Sequence, residues 1–131
     1  MKESIPLNWR RIPYRYKLEG TKCLNCNSHF FPPRIVCPKC RRQGKITTHK
    51  FSGYGKILTF TKVFVPPAGF EEIAPYYVGI IKLDEGPCIT AQIVDSENVE
   101  IGKRVKLVFR RLQQDGEHGL IHYGFKFTVF E

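Results

Sequence analysis

The sequence predicts a mainly β protein that begins with a helical arm, continues through a cysteine-rich ribbon and ends in a five-stranded barrel. Two Cys-x2-Cys pairs lie close together in the first third of the chain. Beyond Phe51, five strand-like segments alternate with turn signals. Ten Phe and six Tyr residues against one Met favour a core made of β-sheet. Hydrophobic residues form 42% of the 131 residues, which is enough for a packed core.

Composition and charge divide the chain into three predicted segments: the arm at residues 1–19, the ribbon at 20–50 and the barrel at 51–131. The net charge is +9, but residues 1–50 contain 12 Lys and Arg against 2 acidic residues. Residues 51–131 contain 9 basic and 10 acidic residues. The basic N-terminal half is therefore predicted to meet nucleic acid, a phosphorylated cofactor or an acidic protein surface.

Residues 4–19 have the pattern of a short amphipathic helix. Trp9, Ile12 and Tyr16 recur at helical spacing and share one face. Three basic side chains lie on the other faces: Arg10, Arg11 and Arg15. Pro13 predicts a break or a kink unless a new turn begins there. Aromatic and Arg side chains are enriched at protein interfaces, so the arm is predicted either to bind a partner or to pack on its own ribbon and barrel.

The cysteine pattern of the ribbon predicts a metal site. Two tight turns, separated by ten residues, bring four thiolates together: Cys23, Cys26, Cys37 and Cys40. Four sulfur ligands in a tetrahedron suit Zn²⁺, and the spacing leaves iron in the same geometry open. Because the protein fills all four positions, the ion is predicted to be structural. Asn27 and Arg41 stand where a glycine often follows each pair, and Arg adopts a positive φ reluctantly, which weakens the prediction for the second turn.

The C-terminal segment contains five predicted strands, the number found in an OB-fold barrel. They span residues 54–65, 76–84, 88–95, 104–112 and 121–130. Strict alternation along the second strand predicts two faces. One face carries Tyr77, Gly79, Ile81 and Leu83, and the other carries Tyr76, Val78, Ile80 and Lys82.

The sequence contains no recognisable set of catalytic residues. None of the four serines lies in a Gly-x-Ser-x-Gly context, and no phosphate-binding glycine loop is present. Cys88 is predicted to be a buried, inert thiol, because it lies in an apolar strand with no nearby His. His29 is discounted as a metal ligand because four cysteines already complete the site. The acidic pairs at residues 71–72 and 84–85 are predicted to be solvated surface groups.

The expected location is the cytoplasm. No apolar run approaches the ~18 residues that a membrane span needs. The N-terminal residues lack the apolar region of a secretory signal. Five cysteines, an odd number, argue against a closed set of disulfides and favour metal binding in a reducing compartment.

Several short motifs run in a fixed order through nearly the whole chain. They are Trp9-Arg10-Arg11, Arg15-Tyr16, the two Cys pairs around Phe31-Pro32-Pro33-Arg34, Gly53-x-Gly55-Lys56, Pro66-Pro67-x-Gly69-Phe70, Pro75-Tyr76, Leu83-x-Glu85-Gly86-Pro87, Ile101-Gly102 and Tyr123-Gly124-x-Lys126-Phe127. Together these motifs resemble the archaeal members of domain-of-unknown-function family 35, the zinc-ribbon OB-fold proteins. The resemblance implies a helical arm, a rubredoxin-like zinc ribbon and a C-terminal OB-fold.

The resemblance also implies association with acyl-CoA enzymes. Archaeal members are similar to the small subunit that joins acetoacetyl-CoA thiolase to hydroxymethylglutaryl-CoA (HMG-CoA) synthase in the mevalonate route to isoprenoid lipids. There the small subunit is a non-catalytic scaffold that couples the unfavourable thiolase condensation to the favourable synthase step. The residues expected to contact a partner or the phosphates of CoA are Trp9, Arg10, Arg11, Arg15, Tyr16, Phe31, Arg34, Phe70 and Tyr76. For residues 31–34 a rigid ribbon loop is the alternative.

Three classes of function stay open at this point. The first is the scaffold, which predicts co-purification with thiolase and HMG-CoA synthase. The second is an OB-fold that binds single-stranded nucleic acid, although Lys82 is the only basic residue on the two strands that would form the groove, where several phosphate contacts are needed. The third is an independent acyl-CoA-binding or enzymatic protein, which predicts ligand binding or turnover by the isolated chain.

Overall fold

The computed structural model describes residues 4–68, 70–95, 97–114 and 117–130. Within them lie α1 (Ile5–Lys17), β1 (Glu19–Cys23), β2 (His29–Phe30), β3 (Ile46–Lys50), β4 (Tyr54–Val63), β5 (Tyr76–Leu83), β6 (Cys88–Ile93), β7 (Arg104–Gln114) and β8 (Ile121–Val129). A three-stranded antiparallel sheet has the order β2-β1-β3, and a closed barrel has the order β4-β5-β6-β8-β7. The predicted fold class is confirmed. Gly69 and residues 115–116 of the predicted turn before β8 lie outside the described residues.

Helix α1 begins at Ser4, whose hydroxyl accepts a hydrogen bond from the backbone N–H of Leu7 at 3.4 Å. It ends where Leu18 adopts the left-handed conformation with a φ of 53°. The break predicted at Pro13 does not occur, and the helix continues through this residue. Pro13 lies on the exposed side of the helix, where water can satisfy the carbonyl that loses its partner. Since β1 begins at Glu19, this residue belongs to the ribbon sheet rather than to the arm.

The arm packs against the barrel through aromatic side chains. The ring of Tyr16 lies edge-on to Phe109 at 5.2 Å between centroids, and Phe109 in turn stacks on Tyr123 at 5.4 Å. A Cβ at Gly124 of β8 would lie 2.8 Å from a Cδ atom of Leu112, so this glycine makes room for a side chain of the neighbouring strand β7. Tyr16 is therefore packed within the chain, which was one of the two alternatives for the arm.

The core of the molecule lies inside the barrel and extends to the end of the arm. Its members are Leu18, Phe51, Ile57, Ile81, Leu83, Ile89, Ala91, Ile93, Val99, Val105 and Phe127. Gly79, Ile81 and Leu83 are buried and Ile80 and Lys82 are exposed, so the predicted alternation of β5 is confirmed from Gly79 onward. The first three residues of the strand, Tyr76, Tyr77 and Val78, are all half-buried and do not alternate. The same alternation along β6 buries Ile89 and exposes Cys88. The prediction of a buried Cys88 was therefore wrong, because an apolar strand on a barrel has only one buried face.

Phe51 links the ribbon to the barrel. Its buried ring lies 5.0 Å from the ring of His49 and 6.2 Å from that of Phe31, and its N–H bonds to the carbonyl of Leu18. Beside it, Nε2 of His49 lies 3.2 Å from a carboxylate oxygen of Glu85, which also accepts the backbone N–H of Ser52 at 2.9 Å. Glu85 was predicted to be a solvated surface group, and this was wrong because its carboxylate joins the β5–β6 turn to the ribbon.

The barrel closes at one narrow seam. Strands β6 and β8 run parallel and share the single pair Ile93–Phe127, followed by a hydrogen bond from the N–H of Val94 to the carbonyl of Phe127 at 2.8 Å. The other neighbouring strands pair in antiparallel ladders of three or more residues. In the part of the chain that the structure describes, no helix combines the length and the apolar character that crossing a membrane requires.

Candidate functional site

The four ribbon cysteines converge on one point. All four Sγ atoms lie within 4.8 Å of one another. The Sγ atoms of Cys26 and Cys37 are 3.6 Å apart, and those of Cys23 and Cys40 are 3.9 Å apart. A tetrahedron with metal–sulfur bonds of about 2.3 Å has edges of about 3.8 Å. The cluster therefore fits a tetrahedral ion and is too wide for disulfides, whose S–S bond is about 2.05 Å.

Two tight turns hold the cysteines in place. The N–H of Asn27 bonds to the carbonyl of Cys23, and the N–H of Arg41 bonds to the carbonyl of Cys37, each at 2.8 Å. Asn27 has a φ of 59° and Arg41 a φ of 53°. Arg41 thus adopts the positive φ that an Arg side chain disfavours. Both turns have the same backbone conformation and the same hydrogen bond.

Hydrogen bonds and neighbouring sulfur atoms shift the pKa values of two ribbon thiols in opposite directions. Hydrogen bonds with the side chain and backbone of Ser28 lower the pKa of Cys26 to about 6. Asn25 donates to Sγ of Cys40 at 3.2 Å and lowers its pKa, but the neighbouring sulfurs and burial outweigh this and raise it to about 11. Without a cation the cluster therefore retains protons at neutral pH, and a metal ion would displace them. The chemistry and geometry together define a structural metal site.

The arm leaves its first aromatic residue uncovered. Trp9 is 74% exposed, and Ile5, one turn earlier, is exposed as well. Beside them a groove of about 180 Å³ runs between α1 and Leu120, which precedes β8. The predicted arginines differ in environment: Arg10 is exposed, Arg11 is half-buried, and the guanidinium of Arg15 donates to Oδ1 of Asn8 at 3.0 Å.

A larger cavity of about 460 Å³ lies where the arm, the ribbon loop and the barrel meet. Three of the predicted contact residues line it together: Arg15, Phe31 and Phe70. Two further lining residues were not assigned a role by the sequence. Lys126 is only 5% exposed, and burial, with the nearby Arg110, lowers its pKa. Oε1 of Gln92 is buried and has no hydrogen-bond partner among the described residues.

Two further predicted contact residues, Tyr76 and Arg34, pack on neighbouring aromatic rings. The ring of Tyr76 packs on Phe70 at 5.8 Å, and the guanidinium of Arg34 lies over Phe30 at 5.6 Å from the ring centroid. The sequence carried a signal for Lys126, because it stands in one of the motifs of the resemblance. It carried none for Gln92, whose unpaired oxygen appears only when the barrel is assembled.

A metal-binding ribbon followed by a closed five-stranded barrel defines a zinc-ribbon and OB-fold protein. Family models agree: residues 10–45 match the model described as "ChsH2, rubredoxin-like zinc ribbon domain", and residues 48–110 match "ChsH2, C-terminal OB-fold domain". A solved structure, the Ltp2-ChsH2(DUF35) aldolase, shares this fold with a TM-score of 0.68 at 22% identity, over 98% of this chain and 96% of that one.

Curated relatives identify the family. A DUF35 domain-containing scaffold protein of Methanothermobacter thermautotrophicus is 51% identical over 121 residues, which cover 91% of each chain. Proteins of the same description from Methanocaldococcus jannaschii and Pyrococcus furiosus are 49% and 43% identical, over 98% and 91% of this chain and 93% and 88% of theirs. The chain belongs to the family of DUF35 domain-containing scaffold proteins.

Proposed function

We propose that this protein is a non-catalytic scaffold that holds acetoacetyl-CoA thiolase and HMG-CoA synthase together and so couples acetoacetyl-CoA formation to HMG-CoA synthesis. The observation that carries the proposal is the exposed face of the arm in a chain whose relatives are described as scaffold proteins. Trp and Arg are the residue types that contribute most to binding at protein interfaces. Trp9 with Arg10 beside it is therefore the proposed anchor for one of the two enzymes.

We propose zinc as the ion in the ribbon. The ligands Cys23, Cys26, Cys37 and Cys40 leave no position for a substrate, so the ion would stabilise the ribbon and take no part in a reaction. Support comes from the family model, which describes a zinc ribbon. Elemental analysis of protein purified without added metal should give one zinc ion per chain. If the analysis instead gave one iron ion per chain, together with the visible absorption of an iron–sulfur centre, the proposal of zinc would be wrong.

The large cavity is the proposed place for a contribution to CoA binding. Its aromatic wall, formed in part by Phe31 and Phe70, suits an apolar chain, and Lys126 and Arg15 supply positive charge. The unpaired Oε1 of Gln92 would accept a hydrogen bond from an amide N–H of the CoA arm. Calorimetric titration with CoA of the assembled complex, containing either the wild-type chain or Gln92→Met, tests this part. Equal affinities would exclude the cavity from CoA binding.

Reconstitution tests the scaffold. The purified chain is mixed with thiolase and HMG-CoA synthase from the same organism, and the mass of the eluting species is measured by light scattering. One species containing all three proteins in a fixed ratio is expected, and the two enzymes should elute separately when the chain is left out. Trp9→Ala should weaken the assembly, whereas Phe64→Ala, which removes an exposed aromatic ring from the loop after β4, should not.

Separate elution of the enzymes in the presence of the chain would refute the scaffold. If the same preparation then bound single-stranded nucleic acid in a salt-sensitive way, the basic N-terminal half would serve nucleic acid instead. HMG-CoA formation from acetyl-CoA by the three purified proteins gives the functional measurement. It should rise when the chain is added, because acetoacetyl-CoA is consumed where it is made.

A further inference from the structure

The end of the ribbon that surrounds the metal site exposes aliphatic side chains to solvent. We call this surface, formed by Leu24, Ile35 and Val36, the ribbon tip. Their exposed fractions are 56%, 92% and 61%. Ile35 and Val36 immediately precede Cys37, the first ligand of the second turn, and Leu24 follows Cys23 in the first turn. Because Sγ of Cys26 and Sγ of Cys37 are 3.6 Å apart, both segments lie next to the metal site, and we treat their exposed aliphatic residues as one surface.

The segment that contains the ribbon tip is strongly basic. Residues 20–45 contain six Lys and Arg and no Asp or Glu. Five of these side chains are exposed: Arg34, Lys39, Arg41, Arg42 and Lys45. A divalent ion with four thiolates contributes a net charge of −2, so the segment stays positive when the metal is counted. The ribbon tip is thus an aliphatic centre in a segment of positive charge, and we call its five exposed basic side chains the rim.

We propose that the ribbon tip is a second docking surface, separate from the arm, and that its occupant is an acidic protein surface with an apolar pocket on one of the two partner enzymes. This inference rests on the proposed scaffold function, because a scaffold that joins two enzymes needs two surfaces. Charge complementarity selects an acidic partner, and the aliphatic centre selects a protein. Single-stranded nucleic acid is bound by basic groups together with aromatic rings on which the bases stack, and Leu24, Ile35 and Val36 offer no such ring.

The metal site preorganises this surface for binding. The four ligands and the two turns fix the backbone on both sides of the ribbon tip, so little conformational entropy is lost when a partner docks. The exposed position of the side chains also separates docking from folding. Substitution at Ile35 or Val36 leaves the metal ligands and the core of the barrel untouched.

The test compares two pairs of adjacent exposed apolar residues in the full chain. The first variant carries Ile35→Ser and Val36→Ser, and the second, with Arg42→Glu and Lys45→Glu, reverses charge at the rim. The control carries Phe64→Ser and Val65→Ser in the loop after β4, where both side chains are also exposed. Affinity for purified thiolase and for purified HMG-CoA synthase is measured separately, and the metal content and Tm of each variant are recorded.

Both ribbon-tip variants should lose about tenfold or more in affinity for one enzyme and keep their affinity for the other, with metal content and Tm unchanged. The control should bind both enzymes as the wild type does, and the affected affinity should fall as salt rises. If the affinities were unchanged, or fell equally for both enzymes, the docking role of the ribbon tip would be refuted and the scaffold function would stand. Wild-type protein that binds neither enzyme would overturn the scaffold and the ribbon tip together. Salt-sensitive binding of a single-stranded oligonucleotide that only the charge-reversal variant abolishes would assign the rim to nucleic acid.

Discussion

The strongest test of how the molecule holds together is the removal of the Phe51 ring. This ring is buried between the ribbon sheet and the barrel, with His49 on one side and Phe31 on another. Phe→Ala substitutions in cores cost about 3–5 kcal/mol. The walls of the resulting hole belong to two different sheets, which cannot both move inward, so we expect a cost at the upper end of that range. Against a total stability of about 5–15 kcal/mol, such a loss is large.

Two probes of urea unfolding separate the ribbon from the barrel. Reactivity of the ribbon thiols reports on the ribbon, and near-ultraviolet circular dichroism of the Tyr residues reports mainly on the barrel and arm. Because Phe51 contacts both sheets, Phe51→Ala should lower both transitions together. Phe64→Ala, which removes an exposed ring, should change the free energy of unfolding by less than about 0.5 kcal/mol. A loss below about 1 kcal/mol in Phe51→Ala, or a shift of the thiol transition alone, would refute the role of Phe51 as the link.

Three further predictions concern the metal site and two buried ionisable groups. Thiol titration of native protein should detect one reactive thiol, the exposed Cys88, and a strong chelator should raise the count to all five cysteines. Lys126→Met should stabilise the protein at pH 7. Burial lowers the pKa of Lys126 in the folded chain. Between this lowered pKa and the ordinary lysine pKa of about 10.4, the unfolded chain binds more protons than the folded chain. The stability of the wild type, measured by urea unfolding, should therefore rise with pH in this range, while that of the variant stays flat. Burial raises the pKa of Glu85, but hydrogen bonds from Ser52 and His49 outweigh this and lower it. The stability of the wild type should therefore fall as the pH drops through the lowered pKa of Glu85. Glu85→Gln should make stability depend less on pH in this range.

Local patterns in the sequence predict the fold well because they are set by neighbouring residues. Spacing alone brings Cys23 and Cys37 into one cluster, and strict alternation matches the burial of β5 from Gly79 onward. The same logic failed for Cys88, where an apolar neighbourhood was taken as burial although the strand has an outward face. At Pro13 a local rule was overridden, since the helix continues through an exposed position.

Features that depend on assembly could not be predicted from the sequence. Glu85 follows a tight turn and has the local appearance of a surface acid, but the approach of the ribbon gives it His49 and Ser52 as partners. The cavity that joins Arg15, Phe31 and Phe70 requires three segments to meet at once. Oε1 of Gln92 is likewise unpaired only because no hydrogen-bond donor among the described residues reaches it in the folded chain.

The narrow seam between β6 and β8 has a consequence for the order of folding. The β4–β5–β6 meander and the β7–β8 hairpin join neighbours in sequence, so their loops close at low entropic cost. The seam joins Ile93 to Phe127 across the whole of β7, in the less stable parallel arrangement. We therefore expect it to close last and to open first, so that the amide of Val94 exchanges its hydrogen with solvent sooner than the amides of the antiparallel ladders. The barrel would then fold as two local units, the β4–β5–β6 meander and the β7–β8 hairpin, and the contact between β6 and β8 would form after both.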